Sequence, residues 1–218
     1  MDVLNQLVET FAPGLKQSDR APSRRALAIW KQVDKFDEAV ARQVDRRRSA
    51  GSDRFFSALS SAADHSLLWF TVGTVRGAVS RRHAGFPMGL YASQIVQSGL
   101  VNGALKPLFN RPRPEGFQDD LQMGMHRPIT SSFPSGHAAS AFSAAVVLAD
   151  DDPLAPFYYA LAALVAYSRV HTRMHHASDV LVGSVIGLGL GFASRAAIHK
   201  VQQLQQRREP QGTLTLPA

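Results

Sequence analysis

A bundle of about five apolar helices, entered through an amphipathic basic helix, is the all-α fold that apolar spacing predicts for these 218 residues. Five apolar stretches, roughly 60–79, 86–105, 136–149, 153–170 and 178–198, come near or fall somewhat short of the ~20 residues a bilayer crossing needs. No strand-rich region and no internal repeat interrupts them, and ahead of them apolar residues recur at helical intervals. The length suits one large domain. Hydrophobic residues at 45% and charged residues at 19% exclude a disordered or collagen-like chain. The absence of cysteine excludes disulfides, thiolate metal sites and a cysteine nucleophile.

Residues 1–59 form a basic amphipathic region holding 11 of the 24 Lys and Arg, so the mean hydropathy of −0.10 averages two unlike parts. The opening MDVLNQLVET lacks the basic and continuous apolar regions of a secretory signal, and export is not expected. From Ala21 to Arg48, the residues Ile29, Val33, Phe36, Val40 and Val44 form a helical stripe with Trp30 beside it and Lys31, Lys35, Arg42 and Arg46 off it. Asp34, Asp37, Glu38 and Asp45 dilute the basic charge, which favours a helix packed on the protein over one lying on a membrane, although one helix can do both. Gly51-Ser52-Asp53 reads as a turn.

Residues 60–200 are the expected catalytic bundle. Asp64, His65 and Arg76 interrupt its first apolar stretch, and Gln94, Gln97 and Asn102 the second. A soluble bundle explains such polarity, but membrane bundles also hide polar groups inside and pack through small residues, and embedding in a membrane is the reading adopted. In LVGSVIGLGLGF (181–192), Gly183 and Gly187 are a small-xxx-small pair suited to close helix contact. Gly187, Gly189 and Gly191 do not read as a nucleotide loop, because no strand precedes them and no matching acidic residue follows. Pro107, Pro112, Pro114 and Pro128 punctuate an irregular stretch, 106–133, long enough to be either functional or disordered. Residues 201–218 read as a polar tail.

Three polar clusters flank the apolar stretches, and alternating helices would bring them to one end of the bundle. Lys106 to Pro114 holds cations on a proline-stiffened loop. Pro134-Ser135-Gly136-His137 opens an apolar helix whose free N–H groups face an incoming anion. Ser168-Arg169 ends one helix, and His175 and Asp179, four residues apart, would share one face of the next. Fixed cations, an anion-binding helix start, two histidines and a carboxylate, with no acidic cluster for Mg²⁺, suit phosphoryl transfer without a metal or other cofactor. In this reading His175, oriented by Asp179, attacks phosphorus, and His137 protonates the leaving alkoxide and later activates water.

These clusters resemble the three signatures of the type 2 phosphatidic acid phosphatase superfamily: K-x6-R-P at Lys106–Pro114, P-S-G-H at Pro134–His137 and S-R-x5-H-x3-D at Ser168–Asp179. The resemblance covers residues 106–179, with all three signatures in order. It implies a metal-independent phosphatase with a helical bundle fold and a phosphohistidine intermediate. His175 would be the nucleophile, Asp179 its partner and His137 the acid and base; Lys106, Arg113, Ser135, Gly136 and Arg169 would hold the phosphate. Soluble acid phosphatases and vanadium haloperoxidases share the superfamily.

The substrate expected is a lipid or polyprenyl phosphomonoester or pyrophosphate. A vanadate-dependent haloperoxidase, disfavoured by the short chain, and a non-catalytic lipid-phosphate-binding membrane protein are the alternatives. Membrane lipids are the other partner expected; nucleic acid is not, since the basic runs lack interleaved aromatics. Region 21–48 departs from a first membrane span in being charged. Were 60–79 and 86–105 the only crossings before the motif loop, the site and the N-terminus would share a side with 17 Lys and Arg against six, which predicts a multi-pass cell-membrane protein with a cytoplasm-facing site. His65, His83, His126, His171, His176 and His199 read as structural. Arg111, out of register with the signature, reads as a solvated loop residue, and Lys16–Arg25 and Arg46–Arg48 as solvated charge.

Overall fold

The computed structural model describes residues 24–79, 86–115 and 130–208. The expected start of the first helix at Ala21, His83, the loop centre with His126 and the tail from 209 onward lie outside them. The described residues form seven α-helices: α1 Arg24–Asp45, α2 Ala50–Ala62, α3 Leu67–Val79, α4 Phe86–Ser98, α5 Gly136–Leu148, α6 Ala155–His171 and α7 Ala177–Arg208.

Element boundaries depart from expectation in three places. The stretch 60–79 is two helices, because a 3₁₀ turn at Asp64–Ser66, with Ser66 at φ 61°, separates α2 from α3. The 86–105 stretch continues past α4 as a π-helical turn, Gly99–Leu105, and a 3₁₀ turn, Lys106–Leu108. Helix α7 runs to Arg208, into the residues read as tail. The Gly51-Ser52-Asp53 turn is instead the first turn of α2, capped by Ser49, whose hydroxyl accepts from Ser52 N–H.

Helix α5 is the axis of the bundle. It is almost wholly buried, and its Ala- and Ser-rich sequence GHAASAFSAAVVL lets α4, α6 and α7 close around it. On α7, a methyl group added at Gly183 would lie 2.4 Å from the Ser135 carbonyl oxygen, and one at Gly187 2.3 Å from that of Ala139. The small-residue pair thus brings two backbones into contact.

Beside a buried apolar core that includes Trp69, Leu90 and Leu148, α4 also buries polar residues and exposes apolar ones. On α4, Ser93, Gln94 and Gln97 point inward, while Met88, Ile95 and Val96 are exposed. Ser140 on α5 donates to Gln94 Oε1 at 2.5 Å, and Ser66 bonds both. Leu181, Val182, Val185 and Phe192 continue the apolar exterior along α7. Among the described residues α7 is the one helix both long and apolar enough to cross a bilayer; α3 and α5 are apolar but shorter.

Helix α1 packs on α6 and α7, as its amphipathicity predicts, but on a different face. Its buried side centres on Asp37 and Val44, with Trp30, Val33, Asp34, Val40 and Ala41 half-buried, while Ile29 and Phe36 of the predicted stripe are exposed. Relative to that stripe the inward face is turned about a sixth of a revolution. A carboxylate at its centre is the reason, and its partners lie in the site.

Candidate active site

The three clusters do meet at one end of the bundle. Ser135 caps α5, its hydroxyl accepting from Ala138 N–H at 3.4 Å, while its own N–H donates to the Asp179 carbonyl at 3.1 Å. The N–H groups of Gly136 and His137 in the first turn have no intrahelical acceptor, which leaves them directed at whatever lies beyond the helix end. A Cβ at Gly136 would fall 2.4 Å from Asn102 Oδ1, so a side chain there would have to displace the Asn102 amide.

Arg113 and Arg169 both donate to neutral oxygens. Arg113 Nη1 donates to the Met174 carbonyl at 2.6 Å and Nη2 to that of Thr130 at 3.4 Å. Arg169, 3% exposed, gives Nη1 to Ser60 Oγ of α2, and its buried Nε has no acceptor among the described residues. Lys106 feels both guanidinium groups and, oppositely, Asp179. Burial first, and then Arg113 and Arg169, push its ammonium down to about 8. Such crowding of like charge is relieved by an anion.

His175 is 2% exposed and lies just before α7 rather than on it. Its expected pairing with Asp179 is therefore looser than a shared helical face implies, with Nδ1 3.8 Å from Asp179 Oδ2. The direct partner is the Ser132 carbonyl, 2.6 Å from Nδ1. A carbonyl only accepts, so Nδ1 carries the hydrogen and Nε2 keeps its lone pair. Burial, opposed by Asp179 and reinforced by Arg113 and Arg169, lowers the imidazole to about 3, so the ring is neutral.

Asp179 does two jobs. Its Oδ2 accepts from His176 N–H at 2.9 Å, capping α7, and the carboxylate also backs His175. Its Oδ1 accepts from Arg111 Nη1 at 2.6 Å. This corrects the reading of Arg111 as a solvated loop residue: it is 4% exposed, and its other arm meets Asp37 Oδ2 of α1 at 2.7 Å. Arg48 is likewise not merely solvated, since Nε donates to Asp53 at 3.0 Å, and Asp53 also accepts from His171.

His137 stands in the first turn of α5, with Nε2 donating to Asp64 Oδ1 at 2.6 Å. Asp64, Ser132, Arg111 and Asp37 all escaped the sequence reading as site residues. Only Asp64 carried a usable signal, an ionisable residue inside an apolar stretch.

Comparisons with known proteins agree with this geometry. Over 101 residues the chain is 33% identical to the lipid A 1-phosphatase of Porphyromonas gingivalis, a match covering 44% of this chain and 20% of that one. It is 33% identical over 134 residues to the decaprenylphosphoryl-5-phosphoribose phosphatase of Mycobacterium tuberculosis, covering 61% of this chain and 73% of the relative. The fold matches crystalline LpxE of Aquifex aeolicus with a TM-score of 0.58 and 29% identity, over 72% of this chain and 92% of that one. The chain thus spans only a fifth of the Porphyromonas protein but most of the mycobacterial one. With residues 87–203, more than half its length, matching the family model and a one-ended cluster of cations and histidines at the signatures, the chain belongs to the PAP2 superfamily.

Proposed function

We propose that the protein is a membrane phosphatase that hydrolyses a lipid or polyprenyl phosphomonoester or pyrophosphate through a phosphohistidine on His175. The observation that carries this reading is the 2.6 Å bond from His175 Nδ1 to the Ser132 carbonyl, which leaves Nε2 as a neutral nucleophile in a site rich in cations. In the first step Nε2 bonds to phosphorus as the ester P–O bond breaks, and His137, entering as an imidazolium paired with Asp64, gives the leaving oxygen its second ring proton and is left neutral. With Nε2 held by Asp64, the Nδ1 of His137 is the nitrogen that moves this proton. His137 then takes a proton from water, whose oxygen attacks phosphorus and frees His175. Lys106, Arg113, Arg169 and the α5 N-terminus neutralise the phosphoryl oxygens, while Asp179 balances the charge that develops on His175.

A lipid substrate is supported by the apolar exterior, which places polar groups inside and Ile95, Val96 and Val185 outside. Polyprenyl phosphoribose is one candidate, given the mycobacterial relative's name. The site is proposed to face the cytoplasm on the side of α1; labelling of a single-cysteine variant at Ser131 from outside intact cells would overturn that placement.

The test is phosphate release by purified protein in detergent with EDTA, with His175→Ala as control. The panel is phosphatidate, polyprenyl mono- and diphosphates, a polyprenyl phosphoribose phosphate and soluble phosphomonoesters. Release by wild type alone supports the mechanism. A wild type inactive on the whole panel, or an active His175→Ala, overturns it.

A further inference from the structure

Helix α1 lies outside the 87–203 match, yet one of its side chains reaches the residues that support the proposed nucleophile. Asp37 is 5% exposed. Its Oδ1 accepts from Ser178 N–H at 2.8 Å, and its Oδ2 from Ser178 Oγ at 2.6 Å and Arg111 Nη2 at 2.7 Å. Arg111 Nη1 in turn donates to Asp179 Oδ1 and Ser178 Oγ, both at 2.6 Å. One guanidinium thus bridges two buried carboxylates, one from the amphipathic helix and one from the signature. Asp34 approaches the same arm only to 3.9 Å and is half exposed.

The charge arithmetic gives this bridge a consequence. Asp37, Arg111 and Asp179 together carry one net negative charge, buried behind His175. If Arg111 faced Asp179 alone, the pair would be neutral, and the positive charge that His175 gains on attacking phosphorus would have no net counter-charge. A guanidinium can serve both carboxylates because its planar fork presents donors on two sides, which an ammonium does not.

We infer that Asp37 is a positioning residue for catalysis: it draws off part of Arg111, so that Asp179 keeps the negative charge that His175 needs in the transition state. The amphipathic helix is then part of the active site's support. This rests on the proposal that His175 is the nucleophile.

The experiment is steady-state kinetics of the full-length protein in detergent on a polyprenyl diphosphate and p-nitrophenyl phosphate, with circular dichroism and melting to verify folding. Asp37→Asn keeps the shape and loses the charge; kcat should fall about tenfold or more with KM within about twofold. Arg111→Lys, which keeps a buried cation but not the fork, should give the same split. The decisive readout is a double-mutant cycle. In an Asp179→Asn background, Asp37→Asn should cost less than about twofold, because the group it acts through is gone. A merely structural role predicts undiminished, multiplicative losses, and that result overturns the inference, as does an unchanged kcat in folded Asp37→Asn and Arg111→Lys. An active His175→Ala would overturn the nucleophile assignment, and with it this inference. A dead His175→Ala beside a fully active Asp37→Asn would overturn this inference alone.

Discussion

The two ends of the bundle hold similar residues and spend them differently. At the end away from the site, Arg76 of α3 pairs with Asp152 at 2.7 Å and with the Asp150 carbonyl at 2.9 Å, while Asp150 takes His199 and, at 3.8 Å, Arg195. Positive and negative charges there meet one another directly. At the site end, Arg113 and Arg169 donate to carbonyl and hydroxyl oxygens, and Lys106 lies close enough to both guanidinium groups to feel their charge. A guanidinium anchored by a neutral oxygen is oriented without being neutralised, and a buried excess of oriented positive charge is a place for an anion. Ion pairing accounts for the cations at one end; at the other it holds Arg111, while Arg113 and Arg169 are also oriented by neutral oxygens.

Substitutions can sharpen or break this contrast. The largest effect expected is from His175→Ala, which should lower kcat by roughly three decades or more, the scale of losing a nucleophile. Next come the two buried arginines. Arg169→Ala should reduce kcat/KM by about 10²–10³ with a modest change in melting temperature, because it removes charge from the transition state. Arg76→Ala should do the opposite, destabilising by about 2 kcal/mol by removing the ion pair to half-buried Asp152 and the bond to the Asp150 carbonyl while the folded enzyme keeps its kcat/KM. If Arg76→Ala and Arg169→Ala changed the same parameter, the contrast between the ends would fail.

Asp64→Asn should slow substrates with poor leaving groups about tenfold more than p-nitrophenyl phosphate, since it weakens the support of the proton donor. An equal loss across leaving groups would count against His137 as the acid. The mildest effect concerns pH. Lys106 is lowered to about 8, so it is charged below that value and loses its charge as pH rises through it. kcat/KM should therefore decline above about pH 8, and Lys106→Arg, which stays charged, should flatten that alkaline limb.

The helical character of the chain and the clustering of Lys106, Arg113, Ser135, Gly136, His137, Arg169, His175 and Asp179 were legible, because periodicity and spacing are local properties. What was not legible depended on partners distant in sequence. Asp37 meets Arg111 across 74 positions and His137 meets Asp64 across 73, and no spacing rule links such pairs. The signature's register misdirected the reading of Arg111, because it selects Arg113 and leaves Arg111 looking solvated until carboxylates from α1 and α7 surround it. The face of α1 was misjudged for the same reason: an aspartate was counted as outward on principle, and its buried arginine partner reversed that.

Gly183 sets the distance between the two halves of the site. It rests on the main chain of Ser135, so the helix that follows the proposed nucleophile and the helix proposed to hold the phosphate are spaced by backbone against backbone. Side chains adjust by changing rotamer; main chains in contact do not. The spacing works as a fixed gauge. The exposed apolar surfaces of α4 and α7 can therefore vary while Ser135 and the residues around Asp179 stay in register.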